Sequence, residues 1–555
     1  MIKESNTLSS RPIKNRLQTN ANDIDHNNDN DNNNNIDKNN SNNNSNNNKT
    51  KSYIQIGAIL ILFSLFFYPL ILYLDLSFVF SGGVGVDVTA NSIQTGLKKI
   101  AHWSKNNGNC GNHRVAVGYN TNLDLVVNAV DLLHALGLSP TQNPTPSDEI
   151  HTLSQFEQTF TYYFDSGSAA ERFITEKDVF DQIIKATDSL NRQEYLTGGN
   201  AGIIANRLAR EGCRVDLSGV VGSKLKNLLN DSINVIEYNA DTRDEIHLIM
   251  EYQTNSTWGA YSTHRANRFI VSNDVSNANI VTMEQLHRHL QQNSKQHKTD
   301  LLIISGLHLL GDQQLHRIEE MSKLLDIIPY QSGKESLLSV SNIPIHFELA
   351  SITSSNIIGA IAKSILPKVD SLGFNEQELG FLYLATGGTE HTMSEFRAPS
   401  INTVINAIIH VFKHITKSSG QDDPMSMMLD DKRKLTRIHF HYLTYHIVAI
   451  QKESSWSTKS AIMSVAASSI EASEQACGFR DVELRIPLKF EVDYRYTPGS
   501  KLKFAIDETF PITSWQDEGL EFHLAPVLVC KSPERTVGLG DSISTTGFIY
   551  QTIKN

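Results

Sequence analysis

The strongest constraint on the fold is a set of short, continuous apolar runs that are rich in β-branched residues. Such runs lack the polar alternation of a half-exposed strand and suit strands buried on both faces of a mostly parallel sheet. The runs are Arg114–Tyr119, Val215–Val221, Leu301–Ser305, Ile343–Leu349 and Val527–Cys530. Helix-like segments fall between them, at Ala201–Glu211, Gln313–Leu325 and Ile357–Leu366. This alternation predicts a doubly wound α/β core.

A different pattern interrupts the alternation between residues 245 and 272. Ile246–Tyr252 and Phe269–Ser272 flank a polar turn, which is typical of antiparallel strands. We therefore predict a small β-rich lid inserted into the core, with lid segments at roughly 120–180 and 240–275. Core and lid together are expected to form one domain over residues 113–555.

The first 51 residues have the composition of a disordered tail. Asn makes up 15 of the 22 residues between Asn27 and Asn48, and most of the others are Asp and Ser. Such a tract has too little apolar surface to offset the entropy that is lost when the backbone is ordered. We predict a disordered spacer over residues 1–51, with an interaction tail as the alternative.

An uncharged apolar run of 23 residues follows, from residue 52 to residue 74. At about 1.5 Å of rise per residue, a helix of this length can cross a bilayer core. A cleavable signal peptide would not follow so long a leader, and a buried core helix would normally show a polar face. Lys49 and Lys51 precede the run and Asp75 follows it, which favours a cytosolic N-terminus. We predict a transmembrane signal anchor over residues 52–75, with the body in the lumen of the endoplasmic reticulum or secretory pathway.

A polar linker is predicted between the anchor and the first strand of the sheet. Residues 76–112 are rich in Gly, Ser and Asn. One helix is expected within this juxtamembrane segment, around Ile93–Trp103.

Two features of the body depend on the compartment in which it folds. The sequons that begin at Asn230 and Asn255 would be usable on the lumenal side. Only four cysteines occur, and no two of them have the CxxC spacing of a zinc or redox motif. Two or more of the cysteines could form a disulfide if the body lies in an oxidising compartment.

The charge balance gives no support for a nucleic-acid partner. The chain has 49 Lys and Arg against 60 Asp and Glu, a net charge of −11. Proteins that bind nucleic acid usually present a basic surface to the phosphate backbone. We therefore expect no nucleic-acid partner.

The C-terminal segment has the pattern of an anion site followed by a carboxylate. Gly538-Leu-Gly540 follows the last predicted strand, and Asp541 opens a helix-like segment. A glycine turn at a helix start exposes backbone N–H groups to an anion, and the helix dipole strengthens the attraction. A carboxylate there can accept the proton of a substrate hydroxyl while a phosphoryl group is transferred. The same short pattern is also common in plain helix N-caps.

Two further motifs are candidates for a polar ligand site at the sheet edge. Thr197-Gly-Gly-Asn200 precedes a helix of small residues, where glycine allows a ligand close to the backbone and Asn200 can bond a polyol. The strand Arg114–Tyr119 ends just before Asn122 and Asp124, at the carboxyl edge where open α/β sheets bind ligands. Tight helix-to-sheet packing and ordinary Asx turns are the alternative interpretations.

Two acidic motifs lie near later strands. His346-Phe-Glu348 closes a predicted strand, and Asn375-Glu-Gln-Glu378 begins a helix. Carboxylates at strand ends can hold Mg²⁺ through water, as phosphoryl transfer requires. Glu378 taken alone could equally be a solvated residue on a helix surface.

From about Arg114 to its end, the chain closely resembles the ADP-dependent glucokinases of the ribokinase-like superfamily, in particular the eukaryotic branch. The resemblance rests on motifs that occur in the family's order over about 440 residues. The motifs described above are joined by Asp244-Glu-Ile-His247, Asn267-Arg-Phe-Ile270, Arg437-Ile-His439 and Arg535-Thr-Val-Gly-Leu-Gly-Asp541. The implied fold is a ribokinase-like three-layer α/β/α core with a mostly parallel sheet and a smaller inserted lid. The predicted anchor and tail lie outside the resemblance.

The resemblance implies transfer of the β-phosphate of ADP to the 6-hydroxyl of D-glucose, which yields glucose 6-phosphate and AMP. It makes Asp541 the catalytic base and includes Gly538 and Gly540 in the anion hole. It assigns Glu348, Glu378 and Asp541 to a Mg²⁺ site. The implied sugar contacts are Asn122, Asp124, Glu171, Gly199, Asn200 and His247. The implied nucleotide contacts are Arg268, His439 and Val527.

Glu171 bears on the choice of substrate. It matches the acidic residue with which glucokinases bind the sugar, and the related ADP-dependent phosphofructokinases lack that residue because a carboxylate would repel a phosphorylated substrate. A phosphofructokinase-type enzyme remains the alternative. An inactive, membrane-tethered kinase-like binding module is the alternative from another class, and it predicts a lost base or anion-hole glycine, whereas both are present. We expect a monomer, and only the resemblance indicates ADP rather than ATP.

Overall fold

The computed structural model describes residues 88–102, 110–111, 113–239, 241–291, 298–328, 343–352, 354–418, 433–495, 499–533 and 538–552. All of them belong to one compact unit, Val86–Asn555. The predicted tail and the predicted anchor lie outside the described residues. Among the helices that are described, none is both long and apolar enough to span a membrane.

The strands are β1 (Arg114–Tyr119), β2 (Asn122–Asn128), β3 (Glu149–Ile150), β4 (Ala170–Ile174), β5 (Gln193–Gly198), β6 (Arg214–Ser218), β7 (Ile233–Val235), β8 (Ile246–Tyr252), β9 (Thr257–Trp258), β10 (Tyr261–Ser262), β11 (Asn267–Ser272), β12 (Leu301–Ser305), β13 (Ile345–Glu348), β14 (Ser371–Phe374), β15 (Arg437–His441), β16 (Tyr445–Gln451), β17 (Val482–Leu484), β18 (Lys489–Tyr494), β19 (Ser500–Ala505), β20 (Thr513–Asp517), β21 (Leu520–Pro526) and β22 (Leu528–Cys530). The α-helices are α1 (Val88–Ala101), α2 (Ala129–Ala135), α3 (Leu153–Ser166), α4 (Lys177–Thr187), α5 (Asn200–Arg210), α6 (Ser223–Leu228), α7 (Val275–Ala278), α8 (Met283–Gln291), α9 (Leu315–Asp326), α10 (Ser355–Ser364), α11 (Glu376–Ala385), α12 (Ile401–Ser418), α13 (Thr458–Cys477) and α14 (Leu539–Thr552).

Ten strands form the central sheet, in the order β20-β21-β16-β15-β14-β13-β12-β1-β6-β7. The strands from β15 to β7 pair in parallel. Three antiparallel strands, β16, β21 and β20, extend one edge. The order runs outward from β1 in both directions, and ligands of such sheets bind at the carboxyl edge beside this switch point.

Strand β12 shows why the buried strands read as continuous apolar runs. Leu301 and Ile303 pack into a core with α5 and α14, whereas Leu302 and Ile304 pack into a larger core with α9 to α12. All four side chains are at most 2% exposed. Because successive side chains point to opposite faces, a strand between two helical layers needs apolar residues at every position. The predicted α/β fold with a mostly parallel sheet is confirmed.

A second sheet of six strands forms the lid, in the order β3-β4-β11-β8-β2-β5. One of its faces packs against α2, α3 and α4, with Phe156, Phe160 and Phe164 of α3 fully buried. The first lid segment extends to Gly198 rather than to residue 180, because β5 pairs with β2 and completes the sheet. The lid therefore contains helices as well as the predicted β strands.

The predicted linker contains part of the folded body. Helix α1 begins at Val88, and its Ala90, Ile93 and Leu97 are at most 3% exposed in a core with α13 and β16. Their spacing of three to four residues gives α1 one apolar face within an otherwise polar segment. The folded domain therefore begins before residue 113, contrary to the prediction.

The strand predicted at Val527–Cys530 does not belong to the central sheet. Strand β22 pairs with β17 in a separate two-stranded sheet, and β21 is the strand that joins the central sheet. Pro526 is the last residue of β21, and proline has no N–H to donate to a ladder. A run of apolar residues shows that a strand is buried but not which strand it pairs with.

Two disulfides use all four cysteines of the chain. Cys110–Cys213 joins the segments that precede the neighbouring strands β1 and β6, and Cys477–Cys530 joins the end of α13 to β22. Disulfides are typical of proteins that fold in oxidising compartments.

Candidate active site

Asp541 lies in the first turn of α14, where it meets the start of α5. Asn200, the first residue of α5, donates hydrogen bonds from Nδ2 to both carboxylate oxygens of Asp541, at 2.9 and 3.1 Å. Gly538 precedes the helix with a φ of +66°, and a Cβ there would lie 2.4 Å from Cδ1 of Ile203. Only glycine fits this turn, so two glycine-containing motifs far apart in the chain converge on one carboxylate.

A cavity of about 380 Å³ opens beside Asp541. Both the central sheet and the lid contribute to its walls. Eight of the predicted site residues line it, namely Glu171, Asn200, Arg268, Glu348, Glu378, Gly538, Gly540 and Asp541. Asp124 lines an adjoining cavity of about 460 Å³ that shares Arg268 with the first.

Asp541 is buried, with 8% of the residue exposed. Burial and the negative charge of Glu348 raise the pKa of Asp541 to about 7, against the opposing effect of the Asn200 hydrogen bonds. A carboxylate with this pKa is a stronger base than an ordinary aspartate and is still largely deprotonated just above neutral pH.

Glu348, at the end of β13, is held by two histidines. His346 Nε2 lies 3.1 Å from Oε2 of Glu348, and His441 Nε2 lies 3.1 Å from Oε1. Burial favours the neutral acid, but the hydrogen bonds from His346 and His441 outweigh it and hold the pKa of Glu348 below its ordinary value. Glu348 is therefore a buried carboxylate that stays ionised at neutral pH.

Glu378 caps the start of α11 and also lines the cavity. Its Oε2 accepts a hydrogen bond from the backbone N–H of Asn375, and Asn375 Oδ1 accepts one from the backbone N–H of Glu378, both at 2.9 Å. This reciprocal capping box fixes the side chain. Burial, and then the charges of Glu348 and Asp541, raise the pKa of Glu378 well above its ordinary value. We call Asp541, Glu348 and Glu378 the acidic wall.

The register of the lid sheet brings the predicted sugar contacts to one face. Asp124 of β2 pairs with His247 of β8, and Ile249 of β8 pairs with Ile270 of β11, which in turn pairs with Glu171 of β4. Because side chains alternate along a strand, Asp124, His247 and Glu171 project from the same face. Arg268, two residues before Ile270, shares that face. We call these four side chains the lid wall.

His247 gives the lid wall a positive charge. Its Nε2 lies 2.9 Å from Oδ2 of Asp274, and its Nδ1 lies 4.0 Å from Oε1 of Glu171. Burial opposes the charge, but Asp274 and then Glu171 outweigh it and raise the pKa of His247 to about 9. Burial raises the pKa of Asp124 to about 6, although the positive charge of His247 acts to lower it.

Asn122 and Gly199 complete the predicted sugar contacts. Asn122 is buried and donates a hydrogen bond from Nδ2 to Oδ1 of Asp124 at 2.6 Å. Gly199 directly precedes α5, where a Cβ would lie 2.6 Å from the carbonyl oxygen of Asn120. Asn122 therefore contacts the side chain of Asp124, and Gly199 lies against the backbone of Asn120, just after the end of β1.

The predicted nucleotide contacts do not all lie together. Val527 lines a largely apolar cavity of about 340 Å³, which shares His441 and Gly540 with the cavity beside Asp541. His439 lines neither cavity, because it is fully buried under α14. A Cβ added to Gly547 of that helix would lie only 2.8 Å from Cε1 of His439. The expected contact of His439 with the nucleotide is therefore not supported.

Two histidines that were not predicted from the sequence also reach the cavity. His441 lies two residues after His439 on β15, so strand alternation could have identified it as the residue at the carboxyl edge. His308 follows β12 and also lines the cavity. Its signal was a polar side chain three residues after a buried strand, and Asn122 follows β1 at the same distance.

Residues 113–550 match the conserved region of ADP-specific phosphofructokinases and glucokinases. Over 448 residues the chain is 35% identical to the ADP-dependent glucokinase of Bos taurus. This alignment covers 79% of this chain and 84% of the bovine protein. Over 447 residues it is 31% identical to the probable ADP-dependent glucokinase of Caenorhabditis elegans, covering 79% and 85% of the two chains.

Solved structures resemble the fold at lower sequence identity. A phosphofructokinase from Pyrococcus horikoshii OT3 with AMP has a TM-score of 0.58 and 17% identity, covering 79% of this chain and 98% of its own. An ADP-dependent kinase in complex with fructose-6-phosphate and ADPβS has a TM-score of 0.55 and 20% identity, covering 84% and 99%. These two similarities concern the fold alone. By the matched region and by its relatives, the chain belongs to the family of ADP-specific phosphofructokinases and glucokinases.

Proposed function

We propose that the protein phosphorylates D-glucose at the 6-hydroxyl with ADP as the phosphoryl donor, and releases glucose 6-phosphate and AMP. The observation that carries this proposal is a single cavity that contains both Asp541, a buried carboxylate at a helix start, and Glu171 on the opposing lid. Membership of the family supports the donor. The bovine and nematode relatives, named for ADP-dependent glucokinase activity, support the acceptor.

Asp541 is the proposed base of the transfer. It accepts the proton of the 6-hydroxyl while that oxygen forms a bond to the β-phosphorus of ADP. The bond from this phosphorus to the oxygen that bridges to the α-phosphate breaks, and AMP leaves with that oxygen. A pKa of about 7 suits a proton acceptor at neutral pH, and the Asn200 hydrogen bonds keep the carboxylate in one orientation. Backbone N–H groups near Gly538 and Gly540 are the donors for the phosphoryl oxygens.

The acidic wall fits a Mg²⁺ ion as cofactor. Magnesium is usually held by one or two carboxylates together with phosphate oxygens and water, not by a cage made only of protein groups. In the described ranges, no group of three or more His, Cys, Asp or Glu could hold a metal by itself. Glu348 and Glu378 would supply the carboxylates, with Asp541 beside them. When bound, the ion would neutralise charge on the phosphate oxygens.

The lid wall fits an uncharged sugar better than a phosphorylated one. Glu171 and Asp124 can accept hydrogen bonds from sugar hydroxyls, and Asn122 and His247 lie next to them. A sugar phosphate would bring about two further negative charges towards these carboxylates, and like charges at short range disfavour binding. Phosphofructokinase-type activity therefore remains the alternative to be tested.

The donor nucleotide would extend from Arg268 to the apolar cavity lined by Val527. Arg268 offers a guanidinium for phosphate oxygens. The apolar cavity adjoins the acidic wall through His441 and Gly540, and its apolar lining suits a purine ring. This arrangement would bring the β-phosphate of ADP next to Asp541.

We further propose that the body lies on the lumenal side of a membrane, tethered by the apolar segment at residues 52–75. The uncharged run and the lysines before it support a signal anchor. The two disulfides support an oxidising compartment. Protease protection of the body in sealed microsomes would test this location, and digestion without detergent would contradict it.

The function is tested with the full chain, purified in detergent. We expect AMP and glucose 6-phosphate from ADP, Mg²⁺ and glucose, and little product when ATP replaces ADP or fructose 6-phosphate replaces glucose. Chromatographic measurement of the sugar phosphate follows the reaction with either donor, and the nucleotide product distinguishes the donors, because ADP leaves AMP and ATP leaves ADP. Turnover with fructose 6-phosphate alone would establish the phosphofructokinase alternative, and a protein that binds ADP without turnover of either sugar would establish the inactive binding module.

A further inference from the structure

Arg437 is a fully buried cation that the proposed chemistry leaves without a role. It is 0% exposed, and among the described residues no carboxylate forms an ion pair with it. Its guanidinium donates from Nη1 to Ser371 Oγ at 2.8 Å, from Nη2 to Ser464 Oγ at 3.0 Å, and from Nε to Gln551. A buried charge that relies on neutral partners costs stability, so its retention calls for an explanation.

The sheet register connects Arg437 to the acidic wall. His346, Ser371 and Arg437 lie directly opposite one another on β13, β14 and β15, so their side chains share one face. Ser371 Oγ lies 2.8 Å from His346 Nδ1, and His346 Nε2 lies 3.1 Å from Glu348 Oε2. An unbroken chain of hydrogen bonds therefore runs from Arg437 through Ser371 and His346 to Glu348.

The Arg437 guanidinium determines the direction in which each hydrogen bond of this series is donated. A guanidinium has only donors, so Ser371 Oγ accepts the hydrogen bond from Arg437. The hydroxyl hydrogen of Ser371 is then available to His346 Nδ1, which becomes an acceptor. A neutral imidazole with an accepting Nδ1 carries its hydrogen on Nε2, the atom that faces Glu348.

We propose that Arg437 is a positioning residue for the cation site: through Ser371 it fixes the tautomer of His346, which orients the Glu348 carboxylate. The other tautomer of His346 would point a nitrogen lone pair at Oε2 of Glu348. Such partners of a metal-binding side chain set its orientation and its affinity for the ion. This inference rests on the proposed role of Glu348 in holding Mg²⁺.

The packing around Glu348 makes its orientation sensitive to this chain. A Cβ on Gly373 would lie only 2.0 Å from Oε2 of Glu348, so the carboxylate lies directly against the backbone of β14. His441 holds the other oxygen. The carboxylate therefore has little space to find a new position if His346 ceases to donate.

The test uses the purified full chain and Mn²⁺ as the probe, titrated by electron paramagnetic resonance with ADP present and glucose absent. Ser371→Ala removes the link and leaves Arg437 in place, whereas Arg437→Met removes the donor. We expect each variant to bind Mn²⁺ about 10- to 100-fold more weakly. The kcat should fall as the affinity for Mn²⁺ falls. The KM for glucose should stay within about two-fold of the wild-type value, because the sugar contacts lie on the lid.

Two further variants separate positioning from packing. Arg437→Lys keeps a charged group that can only donate, so we expect it to recover much of the Mn²⁺ affinity lost in Arg437→Met. Ser464→Ala removes a hydrogen bond of Arg437 that does not belong to the series leading to Glu348. This variant should bind Mn²⁺ as the wild type does. Thermal unfolding of all variants reports on packing.

The outcomes distinguish the inference from the proposed function. Wild-type affinity for Mn²⁺ in Ser371→Ala would overturn the inference, as would an equal loss in Ser464→Ala. If Arg437→Met does not fold, the Mn²⁺ affinity of Ser371→Ala still tests the inference by itself. If the wild type turns over glucose but does not bind Mn²⁺ with ADP, the inference fails while the proposed reaction stands. If the wild type binds Mn²⁺ but turns over no sugar, the proposed reaction fails instead.

Discussion

The acidic wall and the lid wall hold carboxylates in different electrostatic settings. On the acidic wall, burial and mutual repulsion raise the pKa values of Asp541 and Glu378. On the lid wall, Glu171 and Asp124 lie near His247, whose pKa of about 9 keeps it charged. The acidic wall thus carries negative charge that a bound cation would balance, whereas the lid wall is balanced by its own side chains. The difference fits the proposed function, in which the acidic wall would serve a metal-bound diphosphate and the lid wall a neutral polyol.

The largest effect should come from removing the base of the acidic wall. Asp541→Ala is expected to lower kcat by about 1,000-fold or more, because no other group would accept the hydroxyl proton. Initial rates of AMP formation measure this loss, and calorimetric titration should show ADP binding within a few-fold of wild type. Asp507→Ala, an exposed aspartate outside the cavities, is the control and should behave as wild type. Near-normal turnover in Asp541→Ala would refute the proposed base.

Glu378→Gln removes one charge from the acidic wall and should have the next largest effect. We expect kcat to fall about 10- to 100-fold and Mn²⁺ binding to weaken similarly, because a ligand to the ion is lost. The same wall should bind Mn²⁺ more tightly as pH rises in the wild type, since the raised pKa of Glu378 means that the ion competes with a proton. An unchanged metal affinity in the variant would mean that Glu378 only caps α11.

Glu171→Gln tests the lid wall. We expect the KM for glucose to rise about ten-fold with kcat little changed, because a charge-assisted hydrogen bond to a sugar hydroxyl is weakened in both ground and transition states. Steady-state kinetics at saturating ADP separates the two constants. Glu149→Gln, at the exposed residue of lid strand β3, is the matched control. A KM equal to that of the wild type would exclude Glu171 from the sugar site.

The smallest expected effect concerns the pH profile of the acidic wall. Activity should fall as the pH decreases through the pKa of Asp541, about 7 in the free protein, because the protonated acid cannot accept a proton. The Asn200 hydrogen bonds lower this pKa, so Asn200→Ala should move the acid limb of kcat/KM to higher pH. Asn206→Ala, on the same helix but without a contact to Asp541, should leave the limb in place. Movement of the limb to lower pH in Asn200→Ala would contradict this account.

Much of the acidic wall was predictable because its residues stand where strands or glycine turns end. Glu348 closes a buried strand, whereas Asp541 and Glu378 lie in the first turn of a helix, and the parallel sheet brings such points to one edge. The buried strands were predictable for a related reason: burial on both faces leaves continuous apolar runs, as in Leu301–Ser305.

The features that were not predicted depend on contacts between distant segments. Helix α1 packs on α13, and β22 pairs with β17, but neither partner can be read from the local pattern. His439 and His441 share one strand and one face, so only the helix above them decides which one reaches the cavity. Arg437 belongs to a recognised motif, but its bond to Ser371 depends on the register of two strands more than 60 residues apart.

The disulfide Cys110–Cys213 has a consequence for the covalent layout of the chain. The two cysteines are 103 positions apart, and strands β2 to β5 of the lid lie between them. Four of the six lid strands therefore belong to a closed ring, whose closure removes about 4 to 5 kcal/mol of entropy from the unfolded chain in the loop-entropy description. A protease that nicks the ring anywhere leaves the two fragments joined. They separate only after the disulfide is reduced.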